Sequence, residues 1–365
     1  MRFGVILASF SVTGVPKVQL RLAGELARRG HQVDLVLGRP DGAIEDQAPQ
    51  GVDVLHLNAS RAALALPRLA AYLHRERPDA VLSAEDHINV VVLAAAALVR
   101  SESKVCVTTH VPLFQRNRRA WSKHRWILRL TSRLYPRADC VGAVSAGLAD
   151  ELASVIGLPR DDVATLYNPI VTEDAERALA APCPHDWLLG DSPVVCACAS
   201  LTPRKRIGDL LEAFARVRPE TNARLIVLGD GPERANLERR ARELDIASHV
   251  DFVGVVPNPY VFMTRASLFV LSSAFEGLPG VLVEALACGT PVVSTDCPHG
   301  PREILAGGRY GRLVPVGDVE GLATAMRDTL RDPPEAPQLR SRAREFSAKR
   351  SVDRYLSALG ISIDG

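Results

Sequence analysis

The chain has 365 residues, 47% of them hydrophobic and 24% charged, which is enough apolar material for two domains with separate cores. That balance argues against a fibrous or disordered chain, and 44 Lys and Arg against 42 Asp and Glu, a net charge of +2, argue against a nucleic-acid or other bulk polyanion partner. The charge is unevenly placed, since residues 1–170 hold 21 basic and 16 acidic side chains and the remainder is acidic. From the N-terminus, residues 3–38 read FGVILASFSVTGVPKVQLRLAGELARRGHQVDLVLG. A short apolar run, a Gly-containing turn, an amphipathic helix with Leu20, Ala23, Leu26 and Ala27 on one face, then Gly30 and a second apolar run make a parallel β-α-β unit. The alternation continues through Ala80-Val81-Leu82, a helix from about His87, Val105 to Thr108 and Cys140 to Val144, so residues 1–170 are expected to form one doubly wound domain. Residues 171–192, with Pro182 and Pro184, are weakly periodic and suit an interdomain linker. Alternation restarts at Val194 and runs through Arg224 to Leu228, His249 to Val253, Leu268 to Leu271, Pro291 to Ser294 and Gly311 to Val314, giving a second doubly wound domain over 193–345. A last helical pattern in 346–365, with Phe346, Val352, Tyr355, Leu356 and Leu359 apolar, can dock on either domain and is assigned to the N-terminal one.

Seven cysteines, at 106, 140, 183, 196, 198, 288 and 297, include no C-x-x-C pair, and several lie inside apolar runs such as Val194-Val195-Cys196-Ala197-Cys198. Buried free thiols in a reducing compartment are the expectation. The run Phe3 to Ala8 is too short for a signal-peptide core, and no segment reaches the roughly 18 uninterrupted apolar residues of a membrane span. A cytoplasmic location follows as an expectation.

Open parallel sheets bind ligands beyond the carboxyl ends of their strands, so the loops after strands are where chemistry is sought. Residues 275–293, FEGLPGVLVEALACGTPVV, follow the apolar strand at Leu268 to Leu271 and place Glu276 in a strand-to-helix loop. The following helix is expected from about Pro279 to Ala287, stopping at Gly289. Gly277 and Gly280 leave backbone N–H groups uncovered at its start, an anion site suited to a diphosphate. Glu284 lies four residues beyond Gly280 on the same helical face, where its carboxylate can accept two hydrogen bonds from a ribose diol. A charge in so apolar a stretch is costly without a partner.

Glu276 and Glu284, separated by seven residues around Gly277-Leu278-Pro279-Gly280-Val281, resemble the E-x7-E motif of the family 4 retaining glycosyltransferases. The resemblance covers most of the chain and implies the GT-B fold: α/β, two doubly wound Rossmann-like domains facing across a cleft. SLTPRKRIGDLLEAFARV, residues 200–217, looks like the loop and helix that open the family's C-terminal domain, where Lys205 would meet the donor diphosphate. Relatives often carry Arg where this chain has Ser200, so either Arg204 or Arg206 substitutes or contact with the diphosphate is weaker. Gly229-Asp230-Gly231-Pro232 matches a tight turn near the donor, and Val253-Gly254-Val255-Val256 resembles the segment whose backbone reads the nucleotide base. Gly229-x-Gly231 also invites a dinucleotide-cofactor reading, but position 234 is Arg and no acidic residue ends a strand about 20 residues on.

In the first domain, Thr108-Thr109-His110 follows a buried strand where relatives place a His that touches the donor sugar or its phosphate. The turn Thr13-Gly14 stands where relatives carry two glycines and would contact acceptor or phosphate. Ser145 and Asn168-Pro169 also match the family, Ser145 reading equally as a helix N-cap. No D-x-D sequence and no metal-ligand spacing occur, so neither metal nor other cofactor is expected, with Lys, Arg and helix N-termini stabilising the leaving diphosphate. DCPHGPREIL, residues 296–305, is similar to members that add hexoses or N-acetylhexosamines to lipid-linked oligosaccharides, which implies a UDP-sugar donor, a glycan or lipid-linked acceptor and bacterial surface-glycan biosynthesis. An epimerase on the same architecture needs no acceptor, and a non-catalytic nucleotide-sugar-binding protein would be marked by loss of Glu276, Lys205 or Glu284, none of which is lost.

Residues 115–137, QRNRRAWSKHRWILRLTSRLYPR, hold eight Lys or Arg, with no acidic residue from 103 to 138. On one helix Trp126, Ile127, Leu130 and Leu134 share a side, flanked by Arg118, Arg125 and Arg129. Such a surface suits an anionic membrane and implies a peripheral position on the inner face of the cell membrane; the same pattern also describes a helix packed on its own domain with solvated arginines.

Overall fold

The computed structural model describes residues 1–7, 14–38, 46–59, 62–113, 123–171, 181–182 and 185–362. It divides into two compact units, Met1–Ile170 with Ala348–Gly365, and Val171–Ser347. The first unit runs β1 (Arg2–Leu7), α1 (Val15–Arg28), β2 (Gln32–Leu37), β3 (Val52–His56), α2 (Ala62–Glu76), β4 (Ala80–Ser83), α3 (Asp86–Val99), β5 (Lys104–Thr109), α4 (Lys123–Leu134), β6 (Cys140–Ala143), α5 (Ala146–Ile156) and β7 (Val163–Thr165). Its seven strands are ordered β3-β2-β1-β4-β5-β6-β7, every pairing parallel. The central strands are buried almost end to end, as a parallel sheet covered on both faces requires.

A carboxylate sits in the middle of that core. Asp34 on β2 is fully buried, and Arg2 reaches both its oxygens at 2.8 and 3.1 Å while Tyr72 donates to it at 2.7 Å. Gly4 makes this possible, because a Cβ there would stand 2.7 Å from the Tyr72 hydroxyl. α5 is capped at both ends: the Ser145 hydroxyl accepts from Leu148 N at 3.3 Å, and Gly157 closes it in the left-handed conformation.

The second unit runs β8 (Val194–Cys198), α6 (Ile207–Thr221), β9 (Arg224–Leu228), α7 (Arg234–Glu243), β10 (Val250–Gly254), α8 (Tyr260–Met263), β11 (Leu268–Leu271), α9 (Gly280–Cys288), β12 (Val292–Thr295), α10 (Pro301–Ile304), β13 (Arg312–Val314), α11 (Val319–Arg331) and α12 (Ala336–Ala343). Its parallel sheet is ordered β10-β9-β8-β11-β12-β13. Leu210, Phe214, Val217, Leu322 and Met326 from α6 and α11 fill the core against β8, β9 and β11.

The last helix, α13 (Ala348–Ala358), returns to the first unit. Val352, Tyr355, Leu356 and Leu359 enter the same core as Phe3, Leu22, Leu26 and Leu35. Arg29 pairs with Asp353 at 2.7 Å, and the Lys104 ammonium donates to the Leu359 carbonyl at 2.6 Å. The change of unit falls at Ser347, two residues later than the 345/346 boundary read from the pattern: Phe346 ends a 3-10 turn, is fully buried, and its carbonyl accepts from Val171 N at 3.1 Å. The stretch expected as a linker over 171–192 belongs, where described, to the second unit. His185 contacts Asp251 at 2.9 Å and Arg224 stacks over Trp187 at 4.8 Å. Among the described residues all six cysteines are free thiols, and Cys183 lies outside them.

Candidate active site

Strand order reverses between β8 and β11, the switch point beyond whose strand ends open parallel sheets bind ligands. β8 leads to a 3-10 turn, Pro203–Lys205, and β11 to Ser272-Ser273-Ala274-Phe275-Glu276. The two loops are tied together by backbone and hydroxyl bonds. Ala274 N donates to the Arg204 carbonyl at 2.8 Å and the Ser272 hydroxyl to the Lys205 carbonyl at 2.8 Å.

Glu276, 6% exposed, receives three donors, two from the loop after β8 and one from its own loop. The Lys205 ammonium reaches Oε1 at 2.5 Å, the Ser273 hydroxyl reaches Oε1 at 2.6 Å, and the Arg204 guanidinium reaches Oε2 at 2.9 Å. Burial alone would push this carboxyl up, but the Lys205 and Arg204 charges and the hydrogen bonds from Lys205 and Ser273 hold it below its usual value. Arg204 also stacks over Phe275 at 5.4 Å. Cys297 is pushed up to about 12, first by burial and then by the Glu276 charge, so its thiol stays protonated.

The main chain of Glu276 is strapped to the loop after β12. Its N–H donates to the Pro298 carbonyl and its carbonyl accepts from His299 N, both at 2.7 Å. Gly300 has φ 94°, and a Cβ there would fall 2.7 Å from Pro279 Cδ, so only glycine lets this loop pass over the Gly277-Leu278-Pro279 turn. Beyond the turn α9 begins at Gly280 with Val281, and Pro279 as N-cap supplies no side-chain hydrogen bond to the first-turn N–H groups. Glu284, 6% exposed, faces into the fold and accepts from the Tyr260 hydroxyl at 3.1 Å.

Arg206 turns away from Glu276 and pairs with Asp209 at 2.7 Å, so of the two candidates to stand in for the residue at Ser200, only Arg204 enters the cluster. Ser200 itself is exposed. Gly229 and Gly231 serve loop packing, since a Cβ would meet the Ala199 and Leu201 carbonyls at 2.0 and 2.4 Å. Leu201 N donates to Asp230 O at 2.9 Å across the same contact. Arg234, at the position that weakens a dinucleotide reading, donates to the Phe252 carbonyl at 2.7 Å. At the end of β10, Val253 is partly buried, Gly254 has φ 92°, and Val255 is 80% exposed.

In the first unit His110 follows β5. The Thr108 hydroxyl donates to the Ser83 carbonyl at 3.1 Å and lies 3.1 Å from His110 Nε2, which makes Nε2–H the donor in that second bond. The residue keeps a partly open edge, yet the surrounding protein desolvates the ring and lowers its pKa to about 3. Beneath it Asp86 accepts from Thr109 at 2.9 Å and from Tyr135 at 3.0 Å, and Asn89 donates to Tyr135 at 2.7 Å. Gly14 caps α1 at φ 60°, whereas Thr13 lies outside the described residues. Among the described residues no three His, Cys, Asp or Glu side chains are grouped to hold a metal, and no helix is long and apolar enough to cross a membrane.

Two family models match the chain, Glycosyltransferase Family 4 over residues 12–174 and Glycosyl transferases group 1 over 186–346. The chain belongs to the family 4 glycosyltransferases. Among curated family members, the Rhizobium meliloti lipopolysaccharide core biosynthesis glycosyltransferase LpsE is 36% identical over 62% of this chain and 65% of its own length. An N-acetylgalactosaminyltransferase of Campylobacter jejuni acting on N-acetylgalactosamine-N,N'-diacetylbacillosaminyl-diphospho-undecaprenol is 31% identical over 56% of this chain. The match spans 54% of that relative's length, so in both cases less than two thirds of the relative is covered. Solved GT-B structures agree over nearly the whole chain. Anabaena HepE in complex with UDP gives a TM-score of 0.80 at 20% identity, covering 99% of this chain and 100% of that one. The lipopolysaccharide outer core galactosyltransferase WaaB gives 0.76 at 20% identity, covering 99% of both.

Sequence reading missed Ser272, Ser273, Tyr260 and Gly300. A pair of serines closing an apolar strand just before Glu276 was a usable signal for the first two. Tyr260 opens α8 and Gly300 lies in the loop after β12, and nothing local joins them to the site.

Proposed function

We propose that the protein is a metal-independent retaining glycosyltransferase that moves a hexose or N-acetylhexosamine from a nucleotide-diphosphate sugar, UDP-linked, to a glycan or lipid-linked acceptor during bacterial surface-glycan synthesis. The observation that carries the reading is the cluster of buried Lys205 and Glu276 with half-buried Arg204 at the switch point of the second unit, beside the uncapped N-terminus of α9. Breaking the bond from anomeric carbon to diphosphate sends its electron pair to a phosphate oxygen while an acceptor oxygen bonds that carbon and its proton passes to the departing diphosphate. Cations and N–H dipoles fixed where that charge appears lower the barrier more than they would in water. Glu276, held by three donors, is suited to accept from sugar hydroxyls, and Glu284 from the ribose diol. HepE was solved with UDP, and the lipopolysaccharide and undecaprenol-linked chemistry named for the relatives supports the acceptor class.

The position proposed is cytoplasmic and peripheral on the membrane's inner face, through residues 115–137. The test is incubation with a panel of UDP-sugars and lipid-linked acceptors, followed by product analysis and anomeric assignment. Donor turnover into a new glycoside that survives EDTA is expected. Isomerisation of the donor without acceptor would mark an epimerase, and an inverted product or EDTA inhibition reversed by Mg²⁺ would overturn the stereochemical or metal part.

A further inference from the structure

Glu284 is presented by α9, but its carboxylate is oriented by another element. Tyr260 opens the four-residue helix α8, is 6% exposed, and donates its hydroxyl to Glu284 Oε1 at 3.1 Å. α8 is itself fixed from both sides. Tyr260 N donates to the Asn258 side chain at 3.1 Å, and the Thr290 hydroxyl, just past the C-terminus of α9, donates to the Met263 carbonyl at 2.6 Å. The Cys288 thiol lies 3.8 Å from the Tyr260 carbonyl. The phenol therefore approaches Glu284 from a platform clamped to the far end of the helix that carries the carboxylate.

A glutamate has three rotatable side-chain bonds, and reading a diol needs both oxygens aimed at once. We propose that Tyr260 is a positioning residue that holds Glu284 in the orientation for a ribose 2′,3′-diol, and so makes the site prefer ribonucleoside over 2′-deoxyribonucleoside diphosphates. The inference rests on the reading of Glu284 as the ribose acceptor. A charge-assisted hydrogen bond supplies both energy and direction, so its loss should weaken most the ligand that uses both carboxylate oxygens.

The test is calorimetric binding of UDP and 2′-deoxy-UDP, with GDP and 2′-deoxy-GDP in parallel, to wild type, Tyr260→Phe and Glu284→Gln. Wild type should prefer the ribose form. Tyr260→Phe should cut that preference about tenfold or more, the scale of one lost hydrogen bond to a charged group, by weakening the ribonucleotide beyond the deoxyribonucleotide, which keeps only its 3′-hydroxyl. Glu284→Gln should cut it at least as far. If Tyr260→Phe weakens both sugars equally, or neither, the phenol is structural and the inference fails while the Glu284 reading stands. If Glu284→Gln leaves the preference intact, or wild type binds neither ribonucleotide, the reading of Glu284 fails and the inference with it.

Discussion

At the scale of single residues the site is governed by how a buried charge is compensated. Glu276 has its pKa lowered in the folded protein, so its contribution to stability is present above the unfolded value near 4.5 and is lost as pH falls through the folded value. Glu276→Gln should remove that acid-side loss and, if the proposed chemistry holds, lower kcat by more than tenfold. Urea unfolding at pH 7 and below 4.5 reads the first effect, and donor turnover the second. Lys205→Ala should also cost more than tenfold in turnover, because Arg204 and Ser273 hold the carboxylate but do not replace the ammonium. Full turnover in that variant would remove Lys205 from the mechanism. His110 has a lowered pKa as well, about 3 against 6.5, and a neutral buried ring has the same sign. Its stabilisation is complete above pH 6.5 and declines as pH falls toward 3. Wild type should therefore lose more stability than His110→Gln between pH 7 and 5 in urea unfolding, and parallel losses would contradict the buried neutral ring.

Elements differ in how far the sequence alone disclosed them. β8, β9, β11 and the helix after Glu276 were legible because four- or five-residue apolar runs bounded by Gly, Pro or Ser leave little choice of period. β3 and β7 escaped notice: Val52–His56 is only partly buried at the sheet edge, and Val163–Thr165 is three residues long. Partnerships such as Tyr260 with Glu284, or Arg206 with Asp209 rather than Glu276, depend on tertiary approach and carry no local signature. α4 shows the same limit. Its expected single apolar side is split in the fold, with Ile127 and Leu134 partly buried while Trp126 and Leu130 are 58% and 41% exposed. Arg129 stacks over Trp126 at 5.5 Å, and Arg133 on the same helix is exposed; Arg118 and the side chain of Arg125 lie outside the described structure. If this face meets anionic lipid, each arginine adds on the order of 1 kcal/mol and the Trp supplies an interfacial anchor. Changing Trp126, Arg129, Leu130 and Arg133 to Glu should abolish co-sedimentation with phosphatidylglycerol vesicles at low salt. Equal sedimentation of both proteins, or none for wild type, would sink the membrane role.

For the whole molecule the consequential feature is that the first unit is discontinuous in sequence while the second, Val171–Ser347, is one uninterrupted stretch. α13 brings Val352, Tyr355, Leu356 and Leu359 into the first core with at most 4% exposure each. At roughly 1.5–3 kcal/mol for each fully buried large apolar side chain, those four contribute on the order of 6–12 kcal/mol, which is comparable to the whole stability of an ordinary domain, about 5–15 kcal/mol. Residues 1–170 alone should therefore fail to form a cooperative domain, leaving Phe3, Leu22 and Leu26 without part of their cover. Fragment 171–347 should fold by itself, since its sheet and the α6 and α11 core are complete within it. A chain joining 1–170 through a flexible linker to 348–365 should recover the first unit. Urea unfolding followed by far-UV circular dichroism separates these cases: a single sharp transition is expected for 171–347 and for the joined chain, and none for 1–170. A sharp transition in 1–170 alone would show that α13 is an accessory cover; its absence in the joined chain would mean that the first unit needs the second in order to fold.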